Sequence, residues 1–124
     1  MMMNEICYVL VGHRRRGIWY GRLRRRQMGS PASVEFDWAW VMEREESYGD
    51  VAGFFHTHPA GLATPSQRDL RTMRAWVSCF GKPLLCLIES GDRLSAYLFA
   101  TDEDGGQPVA QVERFPRNVI VAVE

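Results

Sequence analysis

Apolar and polar residues follow one another along this chain in two spacings that predict a mixed α/β domain. Helical spacing covers residues 36–48 and 66–80, and each stretch is followed by a glycine, Gly49 or Gly81, of the kind that ends helices. Runs rich in branched and aromatic residues predict strands, which begin at Glu5 and then cover 51–58, 84–88, 94–100, 109–115 and 119–123.

The connections between these elements are short. Residues 17–21 predict a hairpin after the first strand, residues 89–92 a hairpin turn, and residues 101–108 a polar loop. The segment 36–48 also alternates like a strand, but the charged run 43–46 favours a helix. We therefore expect a single α/β (α+β) domain spanning residues 1–124, in which a curved mixed sheet is flanked by helices.

Composition indicates the cellular compartment of the protein. Its hydrophobic content of 46% is ordinary for a globular protein, and the sequence contains no signal peptide or membrane-length apolar run. The cysteines are Cys7, Cys79 and Cys86, an odd number without zinc-ribbon spacing. These features predict a cytoplasmic protein whose thiols are reduced and structural, and they give no support to a membrane location.

The candidate chemistry lies where the strand 51–58 ends. His56 and His58 are two residues apart, so on a strand both imidazoles point to the same side, about 7 Å apart. Ser66 and Asp69 share one side of the first turn of the following helix. Two histidines and one aspartate can hold zinc and leave its fourth position to water, the pattern of a catalytic site. Read alone, Ser66 and Asp69 would be a helix cap.

The joint pattern, His-x-His-Pro followed by Ser-x-x-Asp, resembles the signature of the JAMM (MPN-plus) zinc metalloproteases, which remove ubiquitin and ubiquitin-like proteins. The resemblance implies that His56, His58 and Asp69 bind Zn²⁺, whereas the Ser66 hydroxyl stabilises the oxyanion. The residues from Glu5 to Gly12 resemble the early strand that carries the family's general base. Glu5 is therefore the candidate base, which takes a proton from water and passes it to the leaving amine.

The N-terminal half departs from the family pattern in two places. Tyr8 stands where the family usually has glycine, and only four residues precede Glu5, so we expect the family's first helix to be absent. Without that helix, the row Ile6, Tyr8 and Leu10, or the opposite row, is expected to lie uncovered and to bind a second copy or a partner protein. The rival candidates for the base are Glu35, Glu43, Glu45 and Glu46.

The resemblance implies a zinc-dependent isopeptidase that acts on a ubiquitin-like protein, with E1-like and E2-like proteins as operon partners. Two alternatives remain open: a RadC-like protein linked to DNA processing, which resembles the same motif, and a non-catalytic MPN-type scaffold. An amidohydrolase with its own His-x-His strand is excluded, because its barrel needs roughly 250 residues.

Arginines cluster around the first hairpin although the net charge of the chain is zero. The group comprises Arg14, Arg15, Arg16, Arg22, Arg24, Arg25 and Arg26. Clustered arginine beside Trp19 and Tyr20 is also found where proteins bind nucleic acid. Lys82 is the only lysine, which indicates a genome whose codon usage favours arginine. We therefore favour a solvated or protein-binding surface over a surface that binds nucleic acid.

Overall fold

The computed structural model describes residues 5–29, 36–58, 64–101, 106–109 and 111–122. Within them the chain forms one eight-stranded sheet and two helices. In chain order the elements are β1 (Glu5–Arg15), β2 (Ile18–Gly29), α1 (Trp38–Tyr48), β3 (Val51–Thr57), α2 (Gln67–Phe80), β4 (Leu84–Ser90), β5 (Arg93–Phe99), β6 (Gln107–Pro108), β7 (Gln111–Phe115) and β8 (Asn118–Ala122).

The strands lie in the order β6-β5-β4-β3-β1-β2-β8-β7. Neighbouring strands are antiparallel except β3 and β4, which run parallel and are joined through α2. A parallel pair needs such a crossover, because the chain must return to the same end of the sheet before it starts the second strand. The crossover places the end of β3 next to the start of α2, where the sequence has its two histidines and its serine and aspartate.

Two apolar clusters lie on opposite faces of the sheet. One joins the helices to the central strands and includes Val9, Val41, Phe54 and Met73. The other, around Leu10, Phe55 and Leu87, is closed by Val119 and Val121 of β8 and by Val112 of β7. The sheet thus curls so that its last two strands cover the face that carries no helix, and the predicted curved mixed α/β sheet is confirmed.

The expectation that one face of the first strand lies uncovered is wrong. Cys7, Val9 and Val11 are buried under the helices, and Leu10 is buried in the other cluster. Ile6 and Tyr8 are half-buried. The curl of the sheet supplies the cover, because it brings β8 and β7 over the face that sequence reasoning left open. The exposed surface expected to bind a second copy is therefore not present on β1.

The predicted elements agree with the structure apart from local differences. The first hairpin turns at Arg16 and Gly17, so most of the segment 17–21 belongs to β2. The predicted polar loop 101–108 differs at its end, because Gln107 and Pro108 form an edge strand against Tyr97 and Leu98, and its residues 102–105 lie outside the described residues. An edge position tolerates proline, which has no amide hydrogen to donate.

No helix within the described residues is long and apolar enough to span a bilayer.

Candidate metal centre

The two histidines lie at the carboxyl end of β3. Phe54 and His56 are buried and point to the helix-covered side of the sheet, and their rings meet edge-on. His58 follows the last strand residue, and its backbone N–H donates to the carbonyl of Glu89, 2.9 Å away. This bond continues the pairing with β4 beyond the strand. The imidazoles of His56 and His58 are consequently fixed side by side, with ring centres 4.5 Å apart.

Antiparallel pairing brings Glu5 to the histidines. Cys7 is paired with His56, so continuing the register by two residues places Glu5 opposite His58. The Glu5 carboxylate lies 3.7 Å from Nδ1 of His56. Glu5, His56 and His58 each offer a ligand atom, and these atoms lie within 4.8 Å of one another. The residue chosen from the strand phrase therefore belongs to the same cluster as the His-x-His pair.

The start of α2 supplies the acid. Ser66 is the N-cap, and its hydroxyl accepts the backbone N–H of Asp69 at 3.1 Å. The Asp69 carboxylate in turn accepts the backbone N–H of Ser66 through Oδ2 at 2.8 Å. This reciprocal capping box satisfies two donors that a helix start would otherwise leave unpaired. It also fixes the Asp69 side chain, which is buried although it carries a charge.

Asp69 contacts both imidazoles. Its Oδ1 lies 2.9 Å from Nε2 of His56, and its Oδ2 lies 3.2 Å from Nε2 of His58. One carboxylate therefore joins the end of β3 to the start of α2. Glu5 adds β1, which is distant from both in sequence, so three elements meet here.

The donors fit a divalent metal ion. Both ring nitrogens of His56 are buried, and neither makes a well-directed hydrogen bond within the described part of the chain, although Oδ1 of Asp69 is near. A buried polar atom without a directed hydrogen-bond partner destabilises the folded state, so it calls for an explanation such as binding of an ion. Two imidazole nitrogens with one or two carboxylate oxygens are the donors that zinc prefers. The Asp69 oxygen that faces His56 is not used by the helix cap, so it is the better placed of the two for a ligand.

The carboxylates shift the pKa values in the cluster. Burial alone would lower the pKa of His56, but the nearby carboxylates of Asp69 and Glu5 outweigh it and raise that pKa to about 9. Burial would raise the pKa of Asp69, whereas contact with His56 and His58 and the Ser66 N–H hold it well below its usual range. The cluster thus favours positive charge.

Sequence reasoning gave Thr57 no role, and it left open where the side chain of Tyr8 lies. The Thr57 hydroxyl accepts the backbone N–H of Ile6 at 2.9 Å, which ties the start of β1, and with it Glu5, to the end of β3. Its position between the two histidines is the only sequence signal for this role. Tyr8 points to the opposite face and meets Phe55 edge-on at 5.7 Å, so it does not enter the site.

The rival glutamates lie elsewhere or serve the scaffold. Glu45 accepts the backbone N–H of Val51 and pairs with Lys82 at 2.8 Å. Glu43 and Glu46 are exposed on α1, and Glu35 lies outside the described residues.

The two buried cysteines are not suited to act as nucleophiles. Cys7, Cys79 and Cys86 are all free thiols, and the first and last of them are buried. Burial, helped by the Glu5 and Asp69 carboxylates, raises the pKa of Cys7 to about 12, and burial also raises that of Cys86. Both buried thiols are therefore neutral at physiological pH, in which form a cysteine is inert.

Comparison with known proteins shows the family of the chain. The chain is 33% identical over 76 residues to the desampylase of Pyrococcus furiosus, a match that covers 58% of this chain and 54% of the relative. The match thus spans about half of the length of that relative. Residues 2–106 match the family described as prokaryotic homologs of the JAB domain. The chain belongs to this family, as the resemblance of its motif predicted.

Proposed function

We propose that this protein is a zinc-dependent isopeptidase or peptidase that cleaves a ubiquitin-like modifier from a conjugate or precursor. The observation that carries the proposal is the cluster of His56, His58, Asp69 and Glu5, in which Asp69 lies at Nε2 of both imidazoles and Glu5 on the Nδ1 side of His56, whose ring nitrogens are buried and lack directed partners. Membership of the JAB family and similarity to a desampylase support it. Zinc is proposed because the donors are imidazoles and carboxylates.

The ligands we assign are His56, His58 and Asp69, because the Asp69 carboxylate touches Nε2 of both imidazoles. A bound zinc ion would activate water and polarise the scissile carbonyl. Glu5 approaches His56 from the Nδ1 side at 3.7 Å, which is longer than a direct hydrogen bond. Its carboxylate is therefore beside the cluster without being locked to it, as a group that accepts and returns a proton must be.

Ser66 completes the set. Its hydroxyl oxygen accepts the Asp69 N–H, which leaves the hydroxyl hydrogen available to donate. The residue is exposed at the start of α2, so a substrate can reach it. We assign this hydrogen to the oxygen of the carbonyl under attack, where a donor that is already in place stabilises developing negative charge.

A ubiquitin-like protein is the proposed substrate, and similarity to a desampylase supports that choice. E1-like and E2-like proteins remain the proposed partners in the same pathway. We place the enzyme in a reducing cytoplasm, because Cys7, Cys79 and Cys86 are free thiols.

The test combines metal analysis with cleavage. The purified chain should contain about one zinc ion and should cleave at least one member of a panel of ubiquitin-like proteins carrying C-terminal fusions. A chelator should abolish cleavage, and added zinc should restore it. His58→Ala should lose most of its zinc, whereas Glu5→Gln should keep zinc and lose hydrolysis. Glu46→Gln, at an exposed position on α1, is the matched control and should behave like the wild type.

Unchanged zinc content in His58→Ala would contradict the assigned ligands. Loss of zinc in Glu5→Gln would make Glu5 a ligand rather than the base. Full activity of Glu5→Gln would require a different base altogether. Stoichiometric zinc without cleavage of any fusion would favour the non-catalytic scaffold.

A further inference from the structure

An open cleft of about 610 Å³ lies between the β1–β2 hairpin and the strands β7 and β8. It is lined by His13, Tyr20 and Arg22 from the hairpin and by Phe115, Asn118 and Ile120 from the last two strands. Its lining begins at Gly12, seven residues along β1 from Glu5, which corresponds to roughly 23 Å at ~3.3 Å per residue. A molecule in this cleft would leave the metal centre free.

The cleft exposes aromatic surface. Tyr20 and Phe115 are 40% and 48% exposed, and Tyr20 stacks on His13 with ring centres 5.5 Å apart. Pairing of Tyr20 with Ile120 places both on one face of the sheet. This is the helix-covered face, since Val11, paired with Arg22, belongs to the cluster under the helices, but the main contacts of α1 and α2 fall on the strands β3, β4 and β5. Exposed aromatic side chains around a concavity are typical of surfaces that bind another molecule.

Exposed arginines stand in and beside the cleft. Arg15 lies two residues beyond His13 on the same side of β1, is exposed, and forms no ion pair with any described residue. Arg22 is exposed within the lining. Asp50, which also lines the cleft and interacts electrostatically with Arg22, is held by two hydrogen bonds from Arg44, at 2.8 and 2.7 Å. Arg15 is therefore available to an acidic ligand, and Arg22 shares Asp50 with Arg44.

We propose that this cleft is a second protein-docking site, which binds an acidic peptide segment through one aromatic or aliphatic side chain. That side chain packs between Tyr20 and Phe115, and carboxylates beside it pair with Arg15 and Arg22. An apolar centre with a charged rim is the arrangement of protein interfaces. A single-stranded nucleic acid would instead need cations along the whole groove, whereas here they stand at its edge. The site does not depend on the proposed hydrolysis.

The test measures fluorescence anisotropy of a labelled nine-residue peptide, made of aspartate and glutamate around a central phenylalanine, with the full chain. The peptide should bind and should release as salt is added, because its rim contacts are ionic. Peptides with amides in place of the acids, or with a central alanine, should bind at least about tenfold more weakly. Phe115→Ser should weaken binding about tenfold and Arg15→Glu about fivefold.

Two control variants separate this site from other effects. Arg93→Glu changes an exposed arginine at the β4–β5 turn and should bind like the wild type. His58→Ala should also bind normally, so failure of the proposed zinc site leaves this result unaffected.

Equal binding of the acidic and amide peptides would overturn the proposal, as would unchanged binding by both Phe115→Ser and Arg15→Glu. Binding of a nine-nucleotide single strand but not of the acidic peptide would replace it with a nucleic-acid site. Sedimentation that shows a dimer dissociated by Phe115→Ser would assign the cleft to a second copy of the chain.

Discussion

Ser66 caps a helix in this structure and is also the proposed oxyanion donor, and a pair of substitutions can separate the two functions. Its hydroxyl oxygen caps α2 by accepting the Asp69 N–H at 3.1 Å, and its hydroxyl hydrogen is the proposed donor to the oxyanion. Alanine removes both functions. Glycine removes the hydroxyl too, but it is itself a favourable N-cap residue.

The expected magnitudes follow from these contacts. Loss of a serine cap to alanine costs about 1 kcal/mol, whereas replacement by glycine costs only a few tenths of that. For a chain of this size 1 kcal/mol corresponds to a shift in Tm of about 4 °C. Loss of an oxyanion donor lowers kcat by about 10²–10³. Ser66→Ala should therefore be less stable and inactive, whereas Ser66→Gly should be nearly as stable as the wild type and equally inactive.

The assay compares thermal unfolding by circular dichroism with cleavage of a ubiquitin-like fusion at 25 °C. Both variants should retain zinc, because the bond to Oδ2 of Asp69 comes from the backbone N–H of residue 66 rather than from its side chain. Ser66→Gly at the wild-type rate would refute the assigned role of the hydroxyl. If the loss of activity in each variant were proportional to its loss of Tm, Ser66 would act only as a helix cap.

Three further outcomes are expected. Thr57→Val should lower kcat with zinc retained, because it removes the acceptor for the Ile6 N–H, and Thr57→Ser should restore it. Asp50→Asn should destabilise the fold by about 1 kcal/mol at pH 7 in urea unfolding. Because its ion pair lowers the folded pKa of Asp50, the wild-type advantage should shrink as pH falls below ~4. Gly53→Ala should abolish soluble expression, since its Cβ would lie 1.8 Å from the Leu85 carbonyl oxygen.

Local spacing was sufficient to predict most of the fold and the part of the site that lies on β3 and α2. The helices, the strand 51–58 and the approach of Asp69 to the histidines each depend on periodicity or on a short loop, which are readable from the sequence. Glu5 is different, because its position depends on the register between β1 and β3. A slip by one residue would turn Glu5 to the other face, and alternation alone does not fix that register.

The cover over β1 could not be predicted for a related reason. It depends on the curl that brings β7 and β8 against the cluster around Leu10 and Phe55. Sheet curvature accumulates over many strands, and no local pattern in residues 109–123 specifies which face they meet. The side chain of Tyr8, which departs from the family pattern, packs on that same curled face against Phe55.

Read from the sequence, the Ser66-x-x-Asp69 pattern offered two alternatives, a helix cap or part of a metal site. The structure shows that the cap is compatible with the proposed metal site, because Oδ2 of Asp69 accepts the Ser66 N–H while Oδ1 faces His56. A carboxylate whose rotamer is fixed by a cap loses little further conformational entropy when it binds an ion. The cap therefore preorganises the candidate ligand, and helix stability and metal affinity depend on the same side chain.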